Sequence, residues 1–245
     1  VKEGGLGHYL YCNGFDLSGD TGSVSTIATR RAALDVTGID KSAHERIGGL
    51  VDAELGFDSW FNPSDDQEHE ALSVLTDGDK LMSYFAGAVV GNNCFNLTAK
   101  QTDYAPARAA DGSLAISITA MGNGRIGHWA DMLTTGKQTF ASATNGTGLD
   151  YGATIGSTAF GGMGFLHVFS VGSGTATVAI QDSADGSAWA NVTGLVFAGA
   201  TARTTEVLAT GLTATVRRHL RVNVTGAFTN AVIAVGAVKF LAAQS

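Results

Sequence analysis

The sequence predicts an all-β protein with one short helix. Three observations carry that expectation. The chain has 33 glycines and only 2 prolines, a balance that favours many tight turns between strands. Only 15% of its residues are charged, against about 25% in an ordinary soluble domain, so long solvated helices find little support. Apolar and polar residues also alternate in run after run, the period of a half-buried strand. At 245 residues the chain can bury a core without covalent staples.

The first half reads as strands around one helix. Residues 8–12 form a short strand ended by Asn13-Gly14, a hairpin signal, and a second strand runs over 23–30. Residues 31–46 alternate poorly and carry many charges, so they read as a long loop, and loops of that length are usually functional or disordered. Alternation returns over 50–61, where Val51, Ala53, Leu55 and Phe57 face one way and Asp52, Glu54 and Asp58 the other. A helix is expected over 65–76. Ser64 would be its N-cap, Gln67 would complete a capping box, Asp65, Asp66 and Glu68 would sit in the first turn, and Gly78 would stop it. Further strands are expected at 80–87, 93–102, 113–121 and 126–133.

A Gly/Ser/Thr/Ala stretch from 141 to 156, with Asn145-Gly146, reads as a linker. Beyond it, strands at 164–171, 175–181, 188–192, 204–208, 219–225 and 231–241 make a small sandwich, immunoglobulin-like in architecture, with Trp189 filling its core. The domain division expected is therefore 1–150, a linker at 151–160, and an outer sandwich at 161–245.

Charge supports two unlike halves. Residues 1–158 hold 10 Lys/Arg against 19 Asp/Glu, net −9, and residues 159–245 hold 5 against 3. An acidic first half argues against tight binding to phosphates. The apolar stretches are too short and too glycine-broken to span a bilayer. Val1-Lys2-Glu3-Gly4-Gly5 shows no apolar leader region, and the missing initiator Met suggests trimming or disorder at that end. Cys12 and Cys94 lack metal or redox spacing and are expected as free, reduced thiols.

No motif demands catalysis, a metal or a cofactor. Gly122-Asn123-Gly124-Arg125-Ile126-Gly127 matches GxGxxG, but no crossover helix is expected after it and no βαβ unit exists, so a glycine hairpin is the better reading. Gly136-Lys137 lacks the rest of a phosphate loop. Glu68-His69-Glu70 lacks HExxH spacing and reads as a solvated first turn. His44-Glu45-Arg46 fits surface ion pairing. The Asn-x-Thr sequons at Asn96, Asn145, Asn191 and Asn223 read as chance in a Thr-rich chain.

Taken in order, several of these segments resemble the major tail tube proteins of long-tailed (siphovirus-type) bacteriophages. They are Tyr11-Cys12-Asn13-Gly14-Phe15-Asp16-Leu17-Ser18-Gly19, Ala33-Leu34-Asp35-Val36-Thr37-Gly38-Ile39, Arg46-Ile47-Gly48-Gly49-Leu50-Val51-Asp52, the helix, and the turn at Gly122-Asn123-Gly124. The run from Val178 to Trp189 is similar to immunoglobulin-like modules appended to virion proteins. The resemblance implies a non-enzymatic tail-tube β-sandwich or barrel that forms rings, usually hexameric, stacked into a conduit for genomic DNA. The DNA would pass through the lumen without specific binding. It also implies a virion location after assembly in the host cytoplasm, with tape measure, tail terminator and distal tail proteins as partners and no membrane or cofactor. The loop at about 31–46 would stack on the next ring, with Arg31, Asp35, Asp40, Lys41, His44, Glu45 and Arg46 making intersubunit ion pairs. A capsid decoration or head–tail connector protein, and a carbohydrate-binding module, are the competing readings.

Overall fold

The computed structural model describes residues 4–243; Val1-Lys2-Glu3, on which the leader reading partly rests, lie outside them. The elements in chain order are β1 (Tyr9–Cys12), β2 (Phe15–Asp16), β3 (Thr21–Asp35), β4 (Arg46–Trp60), α1 (Glu68–Leu72), β5 (Lys80–Phe85), β6 (Asn93–Gln101), β7 (Ala105–Arg108), β8 (Leu114–Gly122), β9 (His128–Met132) and β10 (Gln138–Phe140). They continue with β11 (Thr144–Asn145), β12 (Leu149–Asp150), α2 (Gly152–Ile155), β13 (Gly162–Gly174), β14 (Thr177–Ser183), β15 (Ala190–Val196), β16 (Thr204–Ala209), β17 (His219–Thr225) and β18 (Phe228–Lys239). The chain is nearly all β, as its glycine-rich alternating sequence requires, and every strand pairing whose register is defined is antiparallel.

The chain divides into two compact units that interleave along the sequence: residues 1–19, 83–96 and 128–245, and residues 20–82 and 97–127. This differs from the expected division at 151–160. The reason lies in the backbone ladders. β10 pairs with β18, and β11 and β12 pair with β17, while Asp150 grips Arg218 through two 2.6 Å hydrogen bonds. β10, β11 and β12 are thus strands of the C-terminal sandwich, and removing 161–245 would leave them unpaired. The expected linker itself holds α2 and the bridge between Thr158 and Val216.

In the first unit, one sheet layer contains the sequence β16-β13-β18-β9, and the other runs β11-β17-β14-β15. Period-2 alternation puts Val178 and Ile180 of β14 and Leu220, Val222 and Val224 of β17 on the inner face. They share one core with Leu166, Val168, Ile233 and Val235. Each such side chain contributes about 1.5–3 kcal/mol by leaving water. A Cβ on Gly164 would stand 2.5 Å from the Ile180 side chain, so glycine there lets the layers close. Trp189 is not in this core. It is half-buried, packed on Gly148, with the Arg221 guanidinium 4.3 Å from its ring centroid. The hairpin Ser183–Gly186 turns the chain too early for the indole to point inward, and its Nε1–H donates to the Gly186 carbonyl instead.

The second unit is built on β3-β4-β8, with β7 and the end of β6 sharing the far edge of β8. The register sets Leu55 opposite Ala120 and Phe57 opposite Ile118, all buried, with Asp58 opposite Ser117 on the other face. The helix is shorter than expected and begins later. Asp66 sits at φ 64°, outside helical space, so the capping box never forms; Gln67 is the N-cap and makes no side-chain cap bond. Tertiary partners replace that cap. Asp20 Oδ2 accepts from the Glu68 N–H, and the Asn62 carbonyl accepts from the His69 N–H. At the other end Lys80 Nζ donates to the Ala71 carbonyl and Gln101 Nε2 to the Leu72 carbonyl. Five residues of helix would not persist alone.

Two buried titratable groups set the pH behaviour of these units. In the first, the Gly14 N–H donates to His167 Nδ1 at 3.3 Å, which places the ring proton on Nε2. That N–H donates to Ser83 Oγ at 2.8 Å, and the hydroxyl donates to Asn96 Oδ1 at 2.7 Å. Every partner is used once, and burial holds the His167 pKa down at about 3. In the second unit Glu68 is fully buried, not solvated. Burial pushes its pKa up to about 7; Asp20 adds to the rise, and the Asn62 backbone and the Tyr104 hydroxyl oppose it.

A histidine depressed in the fold contributes stability above its ordinary value near 6.5, lost as pH falls toward 3. Wild-type urea midpoints should therefore drop from pH 7 to pH 4, and those of His167→Gln should drop less. The sign for Glu68 is opposite, because an acid raised in the fold destabilises as pH climbs from about 4.3 to 7. Glu68→Gln should leave the melting temperature unchanged at pH 4 and raise it by a few degrees at pH 8; equal effects at both values would exclude the buried carboxylate as the cause.

Candidate assembly interface

The segment expected to be a long loop is instead the end of a long hairpin. β3 and β4 are 15 residues each and stay paired from Thr21 opposite Ser59 to Asp35 opposite Arg46. At about 3.3 Å per residue that ribbon is on the order of 45 Å long. Arg31 and Asp35 lie in β3, Arg46 opens β4, and only residues 36–45 connect the strands. β8 covers the second edge of β4 from Glu54 to Trp60 alone. Before Glu54 the hairpin is a two-stranded arm without a third strand, and from residue 29 to residue 48 nothing but Thr37 and Gly38 is even half-buried. Arginine, glycine and charged residues obscured the alternation here, so the sequence showed no strand.

The tip is tied by its own side chains. Asp35 Oδ1 accepts from the Thr37 N–H at 3.0 Å and from the Thr37 hydroxyl, and that hydroxyl oxygen accepts the Glu45 N–H at 2.9 Å. Asp35 Oδ2 meets His44 Nδ1 at 2.8 Å. The Thr37 bonds, with help from His44, hold the Asp35 carboxyl below the usual range. Lys41 lies 3.4 Å from Asp40 and 3.8 Å from Glu45. Five of the seven residues expected to pair between subunits thus have partners within their own arm. Arg31 and Arg46 form no ion pair among the described residues, and the Arg31 stem lies across Gly48.

The arm also carries what the charges hid. Leu34, Val36, Ile39, Ile47 and Leu50 are all exposed, Leu50 at 89%. Isolated surface leucines are ordinary, but five large apolar groups on one bare ribbon form the kind of exposed patch that interaction surfaces carry. The outer edge of β3 pairs with no strand among the described residues, leaving a long row of backbone donors and acceptors open. At the opposite border of the sheet, β7 contains Pro106, which has no N–H to offer a further strand. The unit that bears the arm holds 15 carboxylates against eight Lys/Arg, while the other holds seven of each, so the whole net charge of −7 belongs to the arm-bearing unit. No helix among the described residues is long and apolar enough to cross a membrane.

No protein-family model matches the chain, and no curated protein matches it in sequence. Among solved structures, it is similar to a chain in the tail of an empty GTA particle refined with C6 symmetry, at 15% identity and a TM-score of 0.40, over 51% of this chain and 97% of that one. It is also similar to the Dit (gp 19.1) protein of SPP1, at 10% identity and TM-score 0.34, over 95% and 99%. A chain of the phage p2 baseplate in its activated conformation gives 10% identity and TM-score 0.36, over 95% and 98%. Scores of this size carry no argument about function.

The turn chemistry has a direct test. Asp35→Ala removes the acceptor for Thr37 and His44, so limited proteolysis should cut within residues 36–45 several times faster while the circular dichroism of the sheet stays unchanged. Equal cleavage rates would show that the side-chain ties do not order the tip.

Proposed function

We propose that this chain is a structural protein of a bacteriophage tail, of the tail-tube type, that polymerises as stacked rings of six around a passage for genomic DNA. The observation that carries this reading is the arm: a paired ribbon projecting beyond its third strand, with apolar side chains bare on it and an open edge beside it. Burying three or four of those side chains against another copy is worth several kcal/mol at about 1.5–3 kcal/mol each. Among the described residues nothing covers them.

The charge distribution supports the same reading. A passage for DNA must not hold its phosphates, and carboxylates on the surrounding wall lower local affinity for them. The acidic unit would then form the wall of the passage.

The register supplies a clean variant, because Ala33 stands opposite Gly48. Replacing residues 34–47 with Asn-Gly should close the shortened hairpin and leave both units folded. In negative-stain micrographs and sedimentation the wild-type protein should form rings or tubes at high concentration, and the shortened variant should stay monomeric. A wild type that remains monomeric across concentration and salt, or a shortened variant that still forms tubes, would refute the proposal.

A further inference from the structure

We propose that the arm tip of one copy docks on the surface around Trp60 and Asp58 of the next copy, an inference that rests on the assembly reading above. Trp60 ends β4 at the base of the hairpin, the full length of the ribbon away from the tip. It is 52% exposed, and its indole lies over Gly22, where a Cβ would come within 3.1 Å of Nε1. With Ser23, Asp58, Ser59 and Ala115 it lines a shallow hollow on the second unit. A large aromatic left half bare beside a hollow is the common form of an interface anchor.

Charge selects the occupant. Asp58 Oδ2 accepts from Ser23 Oγ at 2.8 Å and Oδ1 from Ser117 Oγ at 2.6 Å. Those two hydroxyls, Ser117 first, hold its carboxyl below the usual range, so it is ionised at neutral pH. It has no cation paired with it among the described residues. Over residues 31–46 the arm holds three Lys/Arg and three Asp/Glu, but they are unevenly paired. Arg30 is engaged by Glu54 at 2.7 Å and Lys41 by Asp40 and Glu45, leaving Arg31 and Arg46 as unpaired guanidiniums that flank Leu34 and Ile47. The tip thus offers apolar groups bordered by spare positive charge, and the base offers a bare indole bordered by spare negative charge.

Symmetry points the same way. Tip and base are different surfaces of one hairpin, so a tip-to-base contact is heterologous. Such a contact runs head to tail, so copies add in one direction unless the rotation between them closes a ring. A tip-to-tip contact would close on itself after two copies.

Charge reversal in both surfaces tests this. R31E/R46E and D58R should each raise the protein concentration needed for tubes by roughly tenfold or more. The triple variant R31E/R46E/D58R should regain tubes, and so should an equimolar mixture of R31E/R46E with D58R, which restores attraction at every junction. Because Cys12 and Cys94 are both buried, I39C/A115C gives an independent reading: under mild oxidation its tubes should yield ladders of disulfide-linked chains. D58R that assembles like wild type, or I39C/A115C tubes that give no intermolecular ladder, would overturn the docking site. The assembly reading would survive either result if shortening the arm still abolished tubes, and it would fall if the wild type never assembled. A melting temperature for each variant separates lost contact from lost fold.

Discussion

The pairing of β4 is the constraint from which the functional part of this protein follows. Along its second half the strand lies between β3 and β8, and its register sets Leu55 against Ala120 and Phe57 against Ile118. A slip of one residue would turn that buried row outward, so the hydrophobic pattern fixes β4 firmly. Along its first half only β3 remains beside it. The strand that anchors the core is therefore the same strand that carries the arm away from it, and the arm's direction is set by a rigid sheet rather than by a loop.

That arrangement resolves a conflict within the sequence. A two-stranded ribbon is marginal by itself in water, and bare apolar groups along it should favour collapse. The β3–β4 ladder, with register shifts at three points, continues into a packed sheet, and the tip is closed by the Asp35, Thr37 and His44 ties. Stability flows from the core outward along hydrogen bonds, and the apolar residues stay available because no neighbouring element of this chain covers them.

Much of the β architecture was legible in the residues. Alternation at Leu220, Val222 and Val224 and at Ile116, Ile118 and Ala120 identified strands with the correct inner faces, and Asn13-Gly14 marked its hairpin. Three things were hidden for physical reasons. The arm broke the alternation rule because both its faces meet solvent in the free chain, so no period distinguishes inside from outside. The helix looked longer because the Ser64–Gln67 pattern is a local signal, while Asp20 and Gln101, which help to hold it, are distant in sequence. The interleaving of the two units depends on the long-range pairing of β10, β11 and β12, about which composition says nothing. At the candidate interface the charged residues were visible from the start, but not that most of them would be occupied within their own arm.

The closed tip also bears on the kinetics of joining. A floppy loop of ten residues must surrender its conformational freedom when it is captured, and that loss opposes capture. Here the strands are already aligned and Lys41 and His44 already have partners, so most of the entropy was surrendered during folding. Encounter between such preorganised segments can proceed nearly as rigid bodies, making attachment quick and, while only one junction has formed, readily undone. In the proposed assembly, misplaced copies would then leave before their neighbours locked them in.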